Sequence, residues 1–110
     1  MTDKIVVLVT GKNVRECKRL ARHLLEKKLI ACANLLPPVH SLYHWKGKIA
    51  DEKECLMVLK SSRELFTALR LEVEKLHSNT VPEVIALPII DGAPNYLNWI
   101  TESVGASKKQ

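Results

Sequence analysis

The chain has 110 residues, of which 46% are hydrophobic and 26% are charged, and its formal charge at pH 7 is +5. These shares are those of an ordinary globular protein and predict one domain over residues 1–110. No apolar run is long enough to span a membrane, and the N-terminus carries no cleavage signature. Three cysteines without CxxC spacing argue against a disulfide framework or a zinc site. Together these features predict a cytoplasmic protein with no membrane partner.

The first elements are a buried strand and an amphipathic helix. The run from Ile5 to Val9 (IVVLV) is apolar and rich in β-branched residues, as in a strand buried on both faces. Asn13 and Glu16 have the spacing of a capping box, which predicts the N-terminus of a helix. The apolar stripe of this helix comprises Val14, Cys17, Leu20, Ala21, Leu24 and Leu25.

The central stretch, residues 31–60, predicts a long β-hairpin. Two extended runs meet at Lys46-Gly47, a two-residue turn of the kind that closes a tight hairpin. Each arm has roughly a dozen residues, about twice the usual strand length. A sheet sized for one small domain cannot cover such arms, and their tip carries Tyr43 and Trp45 on one side. We therefore expect a homo-oligomer built on this hairpin, in which both aromatic side chains bury against a neighbouring subunit.

The second half of the chain predicts a helix, a strand and a further helix. Ser61 and Glu64 repeat the capping-box spacing and open the second helix. The run from Val84 to Ile90 (VIALPII) indicates another buried strand, and Pro88 places it at a sheet edge or a bulge. Pro94 starts a short third helix. The residues of this helix expected to face inward are Tyr96, Leu97, Trp99 and Ile100.

The predicted order of elements is β-α-β-β-α-β-α, followed by a polar tail over residues 106–110. This order predicts an α+β fold, the ferredoxin-like plait with an added C-terminal helix. RNA-recognition modules share the strand-helix order, but they stack bases on aromatic side chains of their two central strands. The corresponding runs here, IVVLV and ECLMVLK, contain no aromatic residue. No nucleic-acid partner is therefore expected.

The sequence offers few groups arranged for catalysis. No GxSxG, P-loop or GxGxxG motif is present, and no acid and base stand at a recognisable spacing, so we expect neither an enzyme nor an organic cofactor. His77 closes the second helix and opens the loop that ends in Pro82-Glu83. A helix C-terminus favours a cationic imidazole, whereas a neutral imidazole ligates metals with a carboxylate as companion. His77 is therefore either a helix cap or, with Glu83, a metal ligand.

Five stretches resemble the CutA divalent-cation tolerance family, in order over about Ile5 to Val104. They are residues 31–34 (ACAN), 41–48 (SLYHWKGK), 58–61 (VLKS), 82–88 (PEVIALP) and 96–100 (YLNWI). The resemblance implies a homotrimer of ferredoxin-like subunits whose hairpins pair across chains. It also implies a likeness to the PII signalling proteins, clefts at the subunit interfaces, and tolerance of copper and other divalent metals.

Two departures from the family pattern concern the metal site. Where the family has His-Pro-Tyr, this chain has His77-Ser78-Asn79. The cysteine and first histidine that the resemblance links to copper in some bacterial members match Val9 and Leu76 here. Only His77 carries over, so a high-affinity copper site of that type is not expected.

Three functions follow from these residues and this resemblance. The first is a metal-responsive trimer that binds Cu(II) or another divalent cation through His77 and Glu83. The second is a sensor of a small anion bound in the interfacial cleft, and the third is a structural trimer whose partner lies elsewhere. The residues expected at the cleft or interface are Tyr43, Trp45, Lys60 and Trp99.

Overall fold

The computed structural model describes residues 2–105, which fold into four strands and three α-helices. In chain order they are β1 (Lys4–Gly11), α1 (Val14–Glu26), β2 (Cys32–Trp45), β3 (Lys48–Ser62), α2 (Phe66–Leu76), β4 (Val84–Pro88) and α3 (Pro94–Ser103). The predicted order of elements is confirmed, while the predicted tail lies outside the described residues. None of the helices described is long and apolar enough to cross a membrane.

The strands form one antiparallel sheet in the order β2-β3-β1-β4. In the register of the sheet, Ile5 of β1 lies between Ser61 of β3 and Pro88 of β4. The expectation that Pro88 places its strand at an edge is confirmed, because β4 pairs with β1 alone within the described residues. A proline is tolerated there because an edge strand does not need every backbone N–H for pairing.

The core lies between one face of the sheet and the helices α1 and α2. Alternate residues of β1 and β3 point to this face, as the two-residue period of a strand requires. On the helices, the buried residues recur at three- and four-residue spacing. The fully buried side chains include Val7, Val9, Cys17, Leu20, Cys55, Met57, Leu59, Leu69 and Val73.

The hairpin forms as predicted and is long. Lys46 and Gly47 have positive φ angles of 51° and 79°, which a two-residue hairpin turn of type I′ requires. The arms β2 and β3 have 14 and 15 residues, with a register shift between Leu36 and Val39. Because β1 ends at Gly11 opposite Cys55, residues 48–54 of β3 extend beyond it. This overhang leaves space for a groove.

The predicted start of the second helix is wrong. Strand β3 continues through Ser62, a 3₁₀ turn follows over Arg63–Leu65, and α2 begins at Phe66 without a side-chain cap. The Ser61 hydroxyl is buried and donates a hydrogen bond of 2.6 Å to the carbonyl oxygen of Leu29. Pairing with β1 and this tertiary hydrogen bond outweigh the local capping preference, which is worth only about 1 kcal/mol.

The predicted burial of the last strand and the last helix is wrong in part. Leu87 in β4 is 45% exposed, and Tyr96 and Trp99 in α3 are about as exposed, whereas Ile100 is buried with Ala31 and Val104. Within β4 only Val84 packs against the buried core, and the other four residues of this edge strand are exposed. Leu25 at the margin of the α1 stripe is likewise exposed.

Candidate functional site

A groove of about 750 Å³ lies between the overhanging arms of the hairpin and the loop over residues 78–83. In the hairpin register Ser41 faces Glu52 and Tyr43 faces Ala50. Cross-strand partners share one face of the sheet, so these side chains belong to the same side of the hairpin. The loop supplies the opposite wall with Ser78, Asn79, Thr80, Val81 and Glu83.

The groove is acidic. Its ionisable lining consists of Glu52, Glu54 and Glu83 with His40 and Tyr43, and within the described residues no lysine or arginine lines it. The Tyr43 hydroxyl donates a hydrogen bond of 2.5 Å to Glu52, and this bond raises the pKa of Tyr43 to about 12. A recess lined by charges of one sign concentrates ions of the opposite sign. The groove therefore suits a cation better than an anion.

His77 lies behind the loop and does not line the groove. It is the C-cap of α2, and its backbone N–H donates to Val73. The ring nitrogen Nε2 lies 2.6 Å from the carbonyl oxygen of Thr10, and Nδ1 lies 3.0 Å from the backbone N–H of Asn79. A carbonyl only accepts and an N–H only donates, so the ring is the neutral tautomer protonated at Nε2. Both nitrogens are engaged in hydrogen bonds.

Glu16 is the residue that sequence reasoning missed. It is only 3% exposed, and its carboxylate accepts hydrogen bonds of 2.9 Å from the backbone N–H groups of Lys12 and Ser78. Burial by itself raises the pKa of Glu16, but the hydrogen bonds from Lys12 and Ser78 outweigh burial and hold this pKa below its ordinary value. Its capping spacing is the only sequence signal, and that signal does not reveal Ser78 as a partner.

The remaining predicted residues lie in different places. Trp45 lines the groove with Tyr43 and Glu83. Lys60 instead donates hydrogen bonds to Asn34 and, over 3.7 Å, to the Cys32 thiol. Trp99 contacts Tyr96 with ring centroids 5.4 Å apart. Neither Lys60 nor Trp99 lines the groove, so the structure does not bring all the predicted cleft residues together.

Two carboxylates of the groove, those of Glu52 and Glu54, have a spacing that can be recognised in the sequence. Glu52 and Glu54 are two residues apart on β3, which places both on one face of the strand. Over residues 2–105, no group of three or more His, Cys, Asp or Glu side chains is arranged to hold a metal ion. The carboxylate of Glu83, predicted as a metal ligand, is exposed and lines the same groove.

Comparison with known proteins identifies relatives over nearly the whole chain. The model of the CutA1 divalent ion tolerance protein family matches residues 5–103. The divalent-cation tolerance protein CutA of Thermus thermophilus is 38% identical over 91% of this chain and 97% of its own length. The chloroplastic CutA 1 protein of Oryza sativa is 43% identical over 94% of this chain. The chain spans only 58% of that rice protein.

A solved structure shares the fold. The structure of the periplasmic divalent cation tolerance protein CutA from Archaeoglobus fulgidus superposes with a TM-score of 0.90 at 39% identity, covering 93% of this chain and 99% of the other. The relatives also correct the predicted cytoplasmic location, because one is described as periplasmic and another as chloroplastic. Composition and cysteine spacing do not determine the compartment of a protein of this kind.

Proposed function

Because the chain belongs to the CutA1 divalent-ion tolerance family, we propose that it binds a divalent cation and is not an enzyme. The bound cation lies in the groove between the hairpin and the loop over residues 78–83. The observation that carries this proposal is the charge of the groove, which is lined by three carboxylates but, within the described residues, by no lysine or arginine.

The ligands we propose are Glu83 from the loop and Glu54 from β3, with Glu52 on the same lining. Carboxylate oxygens suit Mn(II), and the affinity of such a site for divalent ions rises from Mn(II) to Cu(II). Water or a second protomer completes the coordination sphere. We do not place His77 among the ligands, because both of its ring nitrogens already have hydrogen-bond partners.

The anion-sensor hypothesis receives less support. It requires a cationic lining, and Lys60, its main candidate, donates to Asn34 and Cys32 instead of lining the groove. A small anion in the groove would face the carboxylates of Glu52 and Glu54, and like charges repel.

We further propose that the chain forms a homotrimer through its hairpins. The overhanging arms expose large apolar side chains, with Leu42 at 66%, Trp45 at 48% and Ile49 at 70%. For Trp45 this leaves roughly 120 Å² to cover, worth about 3 kcal/mol per protomer at about 25 cal/mol per Å². We therefore expect Trp45→Glu to be monomeric by size-exclusion chromatography with light scattering. A variant that still elutes as a trimer would contradict assembly through the hairpin tip.

The test of cation binding is calorimetric titration of the purified, tag-free protein with Cu(II) and, separately, with Mn(II). We expect Glu83→Gln and Glu54→Gln each to weaken binding at least tenfold, a loss of about 1.4 kcal/mol. The control is Glu26→Gln, which removes the same charge from an exposed position at the end of α1. The proposal is wrong if the unmodified protein binds neither ion, or if the control weakens binding as much as the groove variants.

A further inference from the structure

The loop that walls the groove is fixed to the rest of the molecule at its first two residues. The backbone N–H of Ser78 donates to Glu16, 62 positions earlier in the chain, over 2.9 Å. The backbone N–H of Asn79 donates to Nδ1 of His77 over 3.0 Å, and Nε2 of the same ring donates to the carbonyl oxygen of Thr10 over 2.6 Å. The loop is therefore attached to the end of β1 and to the start of α1.

The Glu16 carboxylate holds two backbone segments at once. Its Oε1 accepts from the N–H of Lys12, before α1, and its Oε2 accepts from the N–H of Ser78. The guanidinium of Arg19 lies 3.9 Å from Oε2. A carboxylate that is 97% buried keeps its charge only when such donors satisfy it. The Asn13 side chain caps the N–H of Glu16, so Glu16 itself is held in place.

We propose that Glu16 and His77 are positioning residues: they fix the loop over residues 78–83 as the wall of the groove and so hold Glu83 at the cation. The claim that Glu83 is held at the cation rests on the proposed function, whereas the attachment of the loop by Glu16 and His77 does not. Neither residue touches the groove, since Ser78 and Asn79 stand between them and it. Both act through the backbone of the loop.

This role differs from direct ligation by His77 in a way that can be measured. A metal on Nδ1 would displace the N–H of Asn79, and a metal on Nε2 would displace the carbonyl of Thr10. If the His77 ring only positions the loop, it needs only its two hydrogen bonds, and glutamine and asparagine can each supply one of them. Glutamine places its amide nitrogen near Nε2 and preserves the donor to Thr10. Asparagine places its oxygen near Nδ1 and preserves the acceptor for Asn79.

The experiment combines hydrogen exchange of the loop amides, followed by NMR, with Cu(II) titration of the full chain. The variants are Glu16→Gln, His77→Gln, His77→Asn and His77→Ala. Glu74→Gln, on the exposed face of α2, is the control for the lost charge. A glutamine at position 16 has one acceptor oxygen for two N–H donors, so one hydrogen bond is lost.

We expect exchange at Ser78 to accelerate at least tenfold in Glu16→Gln and to stay unchanged in Glu74→Gln. Exchange at Asn79 accelerates in His77→Gln but not in His77→Asn. Cu(II) affinity falls tenfold in Glu16→Gln and in His77→Ala but stays within threefold of the unmodified protein in His77→Gln.

Two results would overturn the proposal. The first is unchanged exchange at Ser78 and Asn79 in Glu16→Gln and His77→Ala, which means that these side chains do not fix the loop. The second is equal loss of affinity in His77→Gln and His77→Ala with undisturbed loop amides, which makes His77 a ligand. If the unmodified protein binds no Cu(II), the proposed function fails for this ion. The exchange data still decide the role of Glu16 and His77 in the loop.

Discussion

Replacing Gly11 by alanine tests how β1 and α1 pack at the base of the groove wall. Gly11 is buried, and a Cβ atom there would lie 2.6 Å from Sγ of Cys17, whereas ordinary contacts of a Cβ begin at 3.4 Å. The sulfur is fully buried and donates to the carbonyl of Cys55 over 3.5 Å, so it has little room to retreat. Overpacking of this kind costs about 1–3 kcal/mol. Alanine recovers about 0.4–1 kcal/mol by restricting the unfolded chain, which leaves a net loss of about 1.3 kcal/mol at the midpoints of the two ranges.

The matched control is Cys17→Ala, which removes the sulfur that the new methyl group would meet. Alone, this change costs about 1 kcal/mol in lost packing. In the double variant the added methyl occupies part of the vacated space, so the two losses partly cancel. We expect a favourable coupling of at least about 1 kcal/mol in urea unfolding followed by circular dichroism at one fixed protomer concentration. Losses that add to within about 0.5 kcal/mol would refute the proposed clash.

Three further predictions concern backbone strain and ionisation. Lys28 has φ = 58° after α1, so Lys28→Gly should stabilise the fold by about 1 kcal/mol in the same urea assay, whereas Lys27→Gly, at φ = −85°, should not. The pKa of Glu16 is lowered on folding, so its charge stabilises the fold above pH 4.5 and this contribution is lost as the pH falls through the lowered value. The stability gap between the unmodified protein and Glu16→Gln should therefore be larger at pH 7 than at pH 3. The hydrogen bond from Tyr43 to Glu52 raises the pKa of Tyr43 to about 12, so Glu52→Gln should shift the ultraviolet titration of this phenol toward pH 10.

The elements that could be predicted from the sequence are those fixed by local patterns. A continuous apolar run rich in β-branched residues identifies β1, the positive φ angles at Lys46-Gly47 follow from the turn residues, and Asn13 caps α1 as its spacing predicts. The capping pattern at Ser61 fails because the side chain is taken by Leu29, 32 residues earlier. Local sequence patterns do not reveal a hydrogen-bond partner that lies so far away in the chain.

The burial of an apolar side chain can be predicted only where the elements that pack against its strand or helix are known. An apolar run such as VIALPII has the same composition in a central strand as in an edge strand, and only the order β2-β3-β1-β4 decides which one it is. For the candidate site, the period of the strand correctly places Tyr43 and Trp45 on one face of the hairpin. The role of Glu16 could not be predicted, because it depends on a hydrogen bond to the distant Ser78.

The groove itself results from the unequal lengths of neighbouring strands. Strand β3 has 15 residues but β1 has only 8, and the first residue of β1, Lys4, pairs with the last residue of β3, Ser62. The surplus of seven residues projects past Gly11, and the loop before β4 lies beside it. Strands of equal length would fill this space with a paired backbone and leave no recess. The proposed cation site, in which carboxylates of the hairpin and of the loop share one ion, depends on this mismatch and on the proposed attachment of the loop through Glu16 and His77.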